Sequence, residues 1–192
     1  NYALAELNHA GLSVRLWDDD VISEANLGRQ LFAESELGLH KSVALINRTN
    51  RFFGTNWKAE TQKFEKDDLE RLQSNMQSNI YISCVDSVKS RFYIAEILNE
   101  LKIDKSYYRN QCKYWIDFGN SQFTGQVLLS TIGNIKQPNS KKYETVESLP
   151  FITEEFGELL KISEAEDDTP SCSLAEALEK QDLFINSTLA QM

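Results

Sequence analysis

The stretch Leu16–Lys41, LWDDDVISEANLGRQLFAESELGLHK, carries the densest chemistry in the chain. It follows Leu12-Ser13-Val14-Arg15-Leu16-Trp17, which alternates apolar and polar residues as a half-buried strand does. The run ends in Asp18. In a dinucleotide-type fold, an acid at the tip of the second strand reaches the ribose hydroxyls of a nucleotide. Arg29 and Lys41 lie further along the same connection. They suit a polyphosphate, arginine by its planar fork and lysine as a point charge. One connection therefore offers groups for both ribose and phosphate.

The order Asp18-Asp19-Asp20-Val21, Asn26-Leu27-Gly28-Arg29-Gln30 and Gly38-Leu39-His40-Lys41 resembles the ThiF/HesA/MoeB superfamily, the adenylating enzymes related to ubiquitin-activating enzymes. That resemblance implies an α/β, Rossmann-like fold: a mainly parallel sheet with helices on both faces. It also implies ATP-dependent adenylation of the C-terminal carboxylate of a small ubiquitin-like or sulfur-carrier protein, with ATP and Mg²⁺ as cofactors. A homodimer is the family's usual assembly.

Tyr2 to His9 reads as a helix stopped by Gly11. A helix directly before the second strand is expected to be the first helix of a βαβ unit. The strand and Gly-rich turn that should precede it are not in the sequence, and a chain that begins inside a longer protein is the favoured explanation. In the resembling family that turn holds phosphates through backbone N–H groups.

Lys41 to Phe53 reads as a helix with Val43, Ala44, Leu45 and Ile46 partly buried, and Ser35 is a candidate cap for a short turn before it. Lys41 stands near the start of that helix, where the dipole disfavours a cation. An anion nearby would account for it; the plain alternative is a solvated surface lysine. Trp57 to Phe64 alternates as a strand, and Asp67 to Met76 reads as a polar helix.

Ile80-Tyr81-Ile82-Ser83-Cys84-Val85 reads as a buried parallel strand. It leads to Asp86-Ser87 and a helix from Val88 to Leu101 that contains Arg91. Carboxyl ends of parallel strands are where such sheets bind ligands. The resembling family has Thr-Asp-Asn here. Asp86 matches the magnesium-holding Asp, and Arg91 matches an Arg in the next helix, while Val85 and Ser87 depart from the pattern. The plain alternative for Asp86 is a helix N-cap.

Lys113 to Gly119 is the next strand, and Thr124 to Ser130 pairs with it or follows it. Gly125-Gln126-Val127 resembles a family strand that supports the protein substrate's tail. Cys84 and Cys112 read as inert small core residues. After residue 135 come the three prolines Pro138, Pro150 and Pro170 and an acidic run from Glu164 to Asp168, which reads as a long crossing connection. It ends at Pro170-Ser171-Cys172-Ser173-Leu174, similar to the family's Pro-x-Cys-Thr-Leu, ahead of a helix from Leu174 to Leu189. A Cys at a helix start has its pKa lowered by the dipole, whereas Asp167 and Asp168 oppose that. The plain alternative is an ordinary Cys at a loop–helix junction. The expected organisation is an adenylation domain over 1–135, an acidic connection over 136–171 and a Cys segment with its helix over 172–192.

The resemblance assigns roles residue by residue. Arg29 and Lys41 offset phosphate charge. Asp18 positions the ribose, and Asp20 belongs to the same nucleotide-binding group. Asn26 and Gln30 supply neutral hydrogen bonds. Asp86 holds Mg²⁺, and Cys172 accepts the acyl group as a thioester. A noncatalytic relative that binds a ubiquitin-like partner is the alternative. An NAD-type dehydrogenase would use Asp18 but leaves Asn26 to Gln30 without a role.

Composition narrows the partners. The chain has 192 residues, 41% hydrophobic and 26% charged, with a formal net charge of −9. That length suits one domain with a sizeable core. The acidic balance argues against nonspecific nucleic-acid binding. No apolar run is long enough to span a bilayer. The cysteines Cys84, Cys112 and Cys172 are odd in number and without a Cys-x-x-Cys. Reduced thiols in a cytoplasm are expected, with no structural zinc.

Overall fold

The computed structural model describes residues 11–27, 30–64, 78–101, 112–120, 125–166, 188, 190 and 191. The helices expected at Tyr2 to His9, Asp67 to Met76 and Leu174 to Leu189 lie outside the described residues, apart from Thr188. The chain divides into two compact units, and the described residues 11–64 belong to the first and 78–166 to the second.

The first unit is built on strand β1 (Arg15–Trp17), helix α1 (Glu24–Leu27), a 3-10 turn (Glu34–Glu36), helix α2 (Lys41–Phe53) and strand β2 (Lys58–Glu60). β1 and β2 pair in parallel with Arg15 opposite Lys58, Leu16 opposite Ala59 and Trp17 opposite Glu60. Parallel neighbours need a crossover, and α2 lies in it. Both strands are shorter than their alternating patterns suggest. Single backbone bonds prolong the ladder at each end: Lys58 N–H to Val14 O at 3.0 Å and Asp18 N–H to Glu60 O at 3.1 Å.

Helix α2 has the expected bounds. It turns its Ser42, Ala44 and Ile46 inward, while Leu45 stays exposed. Gly54 ends it in the left-handed region at φ 63°, where a side chain is disfavoured. Asn50 then latches the helix to the following strand. Its Oδ1 accepts from the Trp57 N–H at 2.9 Å and from the Thr55 hydroxyl at 2.7 Å, and its Nδ2 donates to the Trp57 carbonyl at 3.0 Å.

The second unit holds β3 (Ile80–Ser83), α3 (Val88–Leu101), β4 (Tyr114–Asn120), β5 (Gly125–Thr131), α4 (Ile152–Glu155) and α5 (Gly157–Glu166). The sheet order is β3-β4-β5. β3 runs parallel to β4, and β5 pairs antiparallel with β4. With both parallel pairs in place, the fold is α/β and Rossmann-like, as the resemblance implies.

β3 departs from expectation in burial. Ile80 and Ile82 are 50% and 64% exposed, whereas Ser83 is buried. Successive strand residues face opposite sides, so an unbroken apolar run does not guarantee two covered faces. Cys84 is exposed and is not a core residue. Cys112 is half-buried, and burial pushes its thiol well above the ordinary value, which suits the inert reading.

The core of this unit gathers Ile94, Ile97, Leu98 and Leu101 of α3 with Trp115, Ile132, Phe151 and Ile152. Phe151 meets Trp115 edge to face at 5.2 Å. The expected crossing connection over 136–170 is irregular as far as Phe151 and then becomes α4 and α5. Its return to the sheet is tied by Thr131, whose N–H donates to Leu149 O at 3.2 Å and whose hydroxyl accepts from Leu149 N–H at 2.8 Å.

A polar knot runs through this core. Arg91 and Asp117 are 5% and 2% exposed. Arg91 Nε lies 3.0 Å from Asp117 Oδ2, and its Nη2 donates to Phe118 O at 3.2 Å. Ser83 donates to Asp117 Oδ1 at 2.5 Å and accepts from Trp115 Nε1 at 2.7 Å. Gly119 leaves room for it: a methyl group there would collide with the Gln126 side-chain amide and come within 3.2 Å of Arg91 Nη2. Removing one partner of a buried pair strands the other charge. Asp117→Ala is therefore expected to cost about 3–5 kcal/mol in urea unfolding. Asp117→Asn keeps one acceptor oxygen, enough for the Arg91 Nε–H, and should cost less than the alanine.

Candidate functional site

The expected nucleotide residues of the first unit gather where β1 ends and α2 begins. Asp18, Asp19 and Asp20 leave the strand together, and one carboxylate oxygen from each lies within 4.8 Å of the others. Asp18 Oδ1 accepts the Asp20 N–H at 2.9 Å, which closes a turn on itself. The Ser42 hydroxyl donates to Asp18 O at 3.1 Å, and Lys41 N–H donates to Asp20 O at 2.9 Å. Acidic side chains and carbonyls thus crowd the positive end of α2, as the helix dipole favours.

Lys41 finds its anion here. Its Nζ lies 2.7 Å from Asp20 Oδ2, with the lysine side chain 15% exposed and the aspartate 65%. Lys63 approaches Asp19 at 3.8 Å, and His40 Nδ1 lies 3.1 Å from Asp19 O. The lysine is thereby neither a free surface group nor committed to the interior. An incoming anion can compete with the exposed Asp20 for it.

The segment between these ends is folded back by backbone bonds. Val21 bridges His40 antiparallel, Ile22 N–H donates to Leu39 O at 2.9 Å, and Gly38 N–H donates to Ile22 O at 3.0 Å. Gly38 does so at φ 82°, a conformation that explains the glycine in Gly38-Leu39-His40-Lys41. Asn26 is buried, and its Oδ1 accepts from both the N–H and the hydroxyl of Ser23, at 2.9 and 3.0 Å. Its first task is thus to hold the start of α1. Gln30 is half-buried, and its N–H donates to Asn26 O at 2.9 Å. Gly28 and Arg29 lie outside the described residues.

Ser35 is not the cap of this turn; it lies inside Glu34–Glu36, whose N-cap position is Ala33. Glu36 does the capping, accepting the Ala33 N–H at 2.8 Å. Arg48 holds Glu36 in turn, at 2.8 and 2.6 Å. Ser42 and Arg48 were not legible as site residues, although Arg48 stands seven positions after Lys41, on the same side of a helix.

In the second unit Asp86 is exposed and follows β3. It is not the helix cap. Ser87 takes that place, accepting the Ser90 N–H at 3.1 Å and meeting the Ser90 hydroxyl at 2.7 Å. The Asp86 carboxylate makes no bond among the described residues. Arg91 is committed to Asp117 in the core. Cys172 lies outside the described residues.

Asp18 is half-buried, and that burial raises its carboxyl above the ordinary 3.8, with the turn bond from Asp20 and the charge of Lys41 pulling the other way. The folded chain therefore holds this proton more tightly than the unfolded chain. The stability it contributes is fully present below pH 3.8 and is lost as pH rises through the folded value. At neutral pH the ionised Asp18 opposes folding. Asp18→Asn keeps an acceptor for the Asp20 N–H. It is expected to match or exceed the parent's urea midpoint at neutral pH, with any gain vanishing below pH 3.8. A stabilising substitution at an acid is the mark of a group kept for function rather than for folding.

Among curated proteins, none matches the chain significantly. The model of the ThiF family matches residues 2–190, which takes in both units, the acidic tip, Asp86 and Cys172. With nearly the whole chain matched, this protein belongs to the ThiF family.

Proposed function

We propose that the chain adenylates the C-terminal carboxylate of a small ubiquitin-like or sulfur-carrier protein, using ATP. The observation that carries this reading is the pairing of Lys41 with an exposed Asp20 beside Asp18, at the carboxyl end of a parallel strand in a ThiF-family chain. Within the family, the same stretch Asp18 to Lys41 supports a likeness to the ThiF-like protein of the bacterial PRTRC gene cassette.

In this reading the substrate carboxylate attacks the α-phosphate. An oxygen–phosphorus bond forms, and pyrophosphate leaves. Asp18 accepts the ribose hydroxyls. Lys41 and Arg29 bind the phosphates as charge moves onto the leaving group, and Gln30 adds a neutral hydrogen bond. Such placed charges commonly carry most of the catalysis in phosphate chemistry. Asp86 fits a magnesium ligand, because its exposed carboxylate is unengaged among the described residues and Mg²⁺ takes oxygen ligands with water. Mg²⁺ would supply charge neutralisation on the phosphates. Cys172 is the proposed acceptor of the acyl group: its thiolate displaces AMP and forms a thioester. A homodimer and a cytoplasmic setting complete the proposal. Among the described residues, no helix is long and apolar enough to cross a membrane.

The test is ATP–pyrophosphate exchange by the full-length protein with a ubiquitin-like partner. Arg29→Ala and Lys41→Ala are each expected to lower exchange by about a hundredfold or more, the scale for removing one donor to developing charge. Cys172→Ala should retain exchange but lose the thiol-labile adduct on a nonreducing gel. Partner binding without exchange, in a chain that also fails to bind ATP, would instead establish the noncatalytic alternative.

A further inference from the structure

Arg48 stands on α2 and reaches back to the segment that follows Gln30. Its Nη1 donates to Leu31 O at 2.6 Å. Its Nη2 contacts both oxygens of Glu36, at 2.8 and 2.6 Å. The guanidinium carbon lies 5.9 Å from the centre of the Phe32 ring. Glu36 also accepts the Ala33 N–H at 2.8 Å, and Phe32 N–H donates to Gln30 O at 2.8 Å. One side chain thus governs the path from Gln30 through Leu31, Phe32 and Ala33 to the turn at Glu36.

Lys41 and Arg48 lie about two helical turns apart, on the same side of one helix. That helix therefore sets two things at once: the lysine on Asp20 and the course of the segment after Gln30. An arginine suits the second task, because its planar fork fixes direction as well as charge. Folding stability does not explain the arrangement well. Arg48 is 45% exposed, and exposed ion pairs add little to stability. Leu31 at 88% exposure buries almost nothing. The segment is held in place without being packed in place. The Arg48 guanidinium, followed by the Ala33 N–H, also holds the Glu36 carboxyl below its ordinary 4.5, which extends the clasp toward acidic pH.

We infer that Arg48 is a positioning residue for nucleotide binding: clasping Leu31 and Glu36, it keeps Gln30 registered against Lys41. This rests on the adenylation reading and deepens it.

The experiment is isothermal titration of ATP with Mg²⁺ into the full chain, for the parent, Arg48→Ala, Arg48→Lys and Glu36→Gln. Each is studied well below its own thermal midpoint. Arg48→Ala is expected to weaken ATP binding by about ten- to a hundredfold, the scale for misplaced binding groups. Arg48→Lys keeps the charge without the fork and should fall between parent and alanine. Glu36→Gln keeps the shape and loses the charge, and should weaken binding by a smaller factor. If Arg48→Ala does not fold, Glu36→Gln carries the test. Parent-like ATP affinity in a folded Arg48→Ala, or in Glu36→Gln when the alanine variant is unfolded, overturns the inference and leaves adenylation standing. A parent chain that binds no ATP overturns both.

Discussion

Three acids in a row at a strand end repel one another, and the first unit is arranged around offsetting that repulsion. Burial raises the carboxyl of Asp18, and the neighbouring charges of Asp20 and Asp19 push in the same direction. The response comes from one place. The start of α2 sends Lys41 to Asp20, the Lys41 N–H to the Asp20 carbonyl and the Ser42 hydroxyl to the Asp18 carbonyl. The acidic tip and the helix are thus conditions for each other. A lysine at the positive end of a helix dipole is unfavourable alone. Beside three acids it becomes the sensible residue.

This arrangement leaves a reserve of binding capacity. Lys41 is shielded on most of its surface, yet its partner Asp20 is mostly exposed. A ligand anion in the place of Asp20 would leave Lys41 paired with a negative charge. The second unit does the opposite with its charges. Arg91 and Asp117 are sealed together, and Ser83 and the Phe118 carbonyl bind further polar atoms of the pair. Such a pair cannot be opened cheaply. The Lys41–Asp20 pair of the first unit is open to exchange, while the buried charge of the second holds β3, α3 and β4 in register.

Much of the fold was legible because local rules dominate there. Lys41–Phe53 shows a helical period and ends at a glycine that does adopt the left-handed region. Val88–Leu101 is bounded just as clearly. The acidic tip and Lys41 could be singled out because their charges crowd one connection, and the structure pairs Lys41 with Asp20. What escaped is what depends on distant residues. Arg91 and Asp117 are 26 positions apart, and no local pattern joins them. The exposure of Ile80 and Ile82 depends on what covers the sheet, not on β3 itself. The acid-rich stretch after Phe151 reads as solvated loop, yet Phe151 anchors it on Trp115 and two helices follow.

The junction after β3 shows how a cap on one residue leaves its neighbour unengaged. An aspartate between a strand and a helix is a natural cap, and capping would occupy its carboxylate with backbone N–H groups. Here the next residue, Ser87, does that work through the Ser90 N–H. Ser87 thus relieves Asp86 of a structural duty. An exposed carboxylate at the carboxyl end of a parallel strand, unengaged among the described residues, is left in the position where such sheets take ligands.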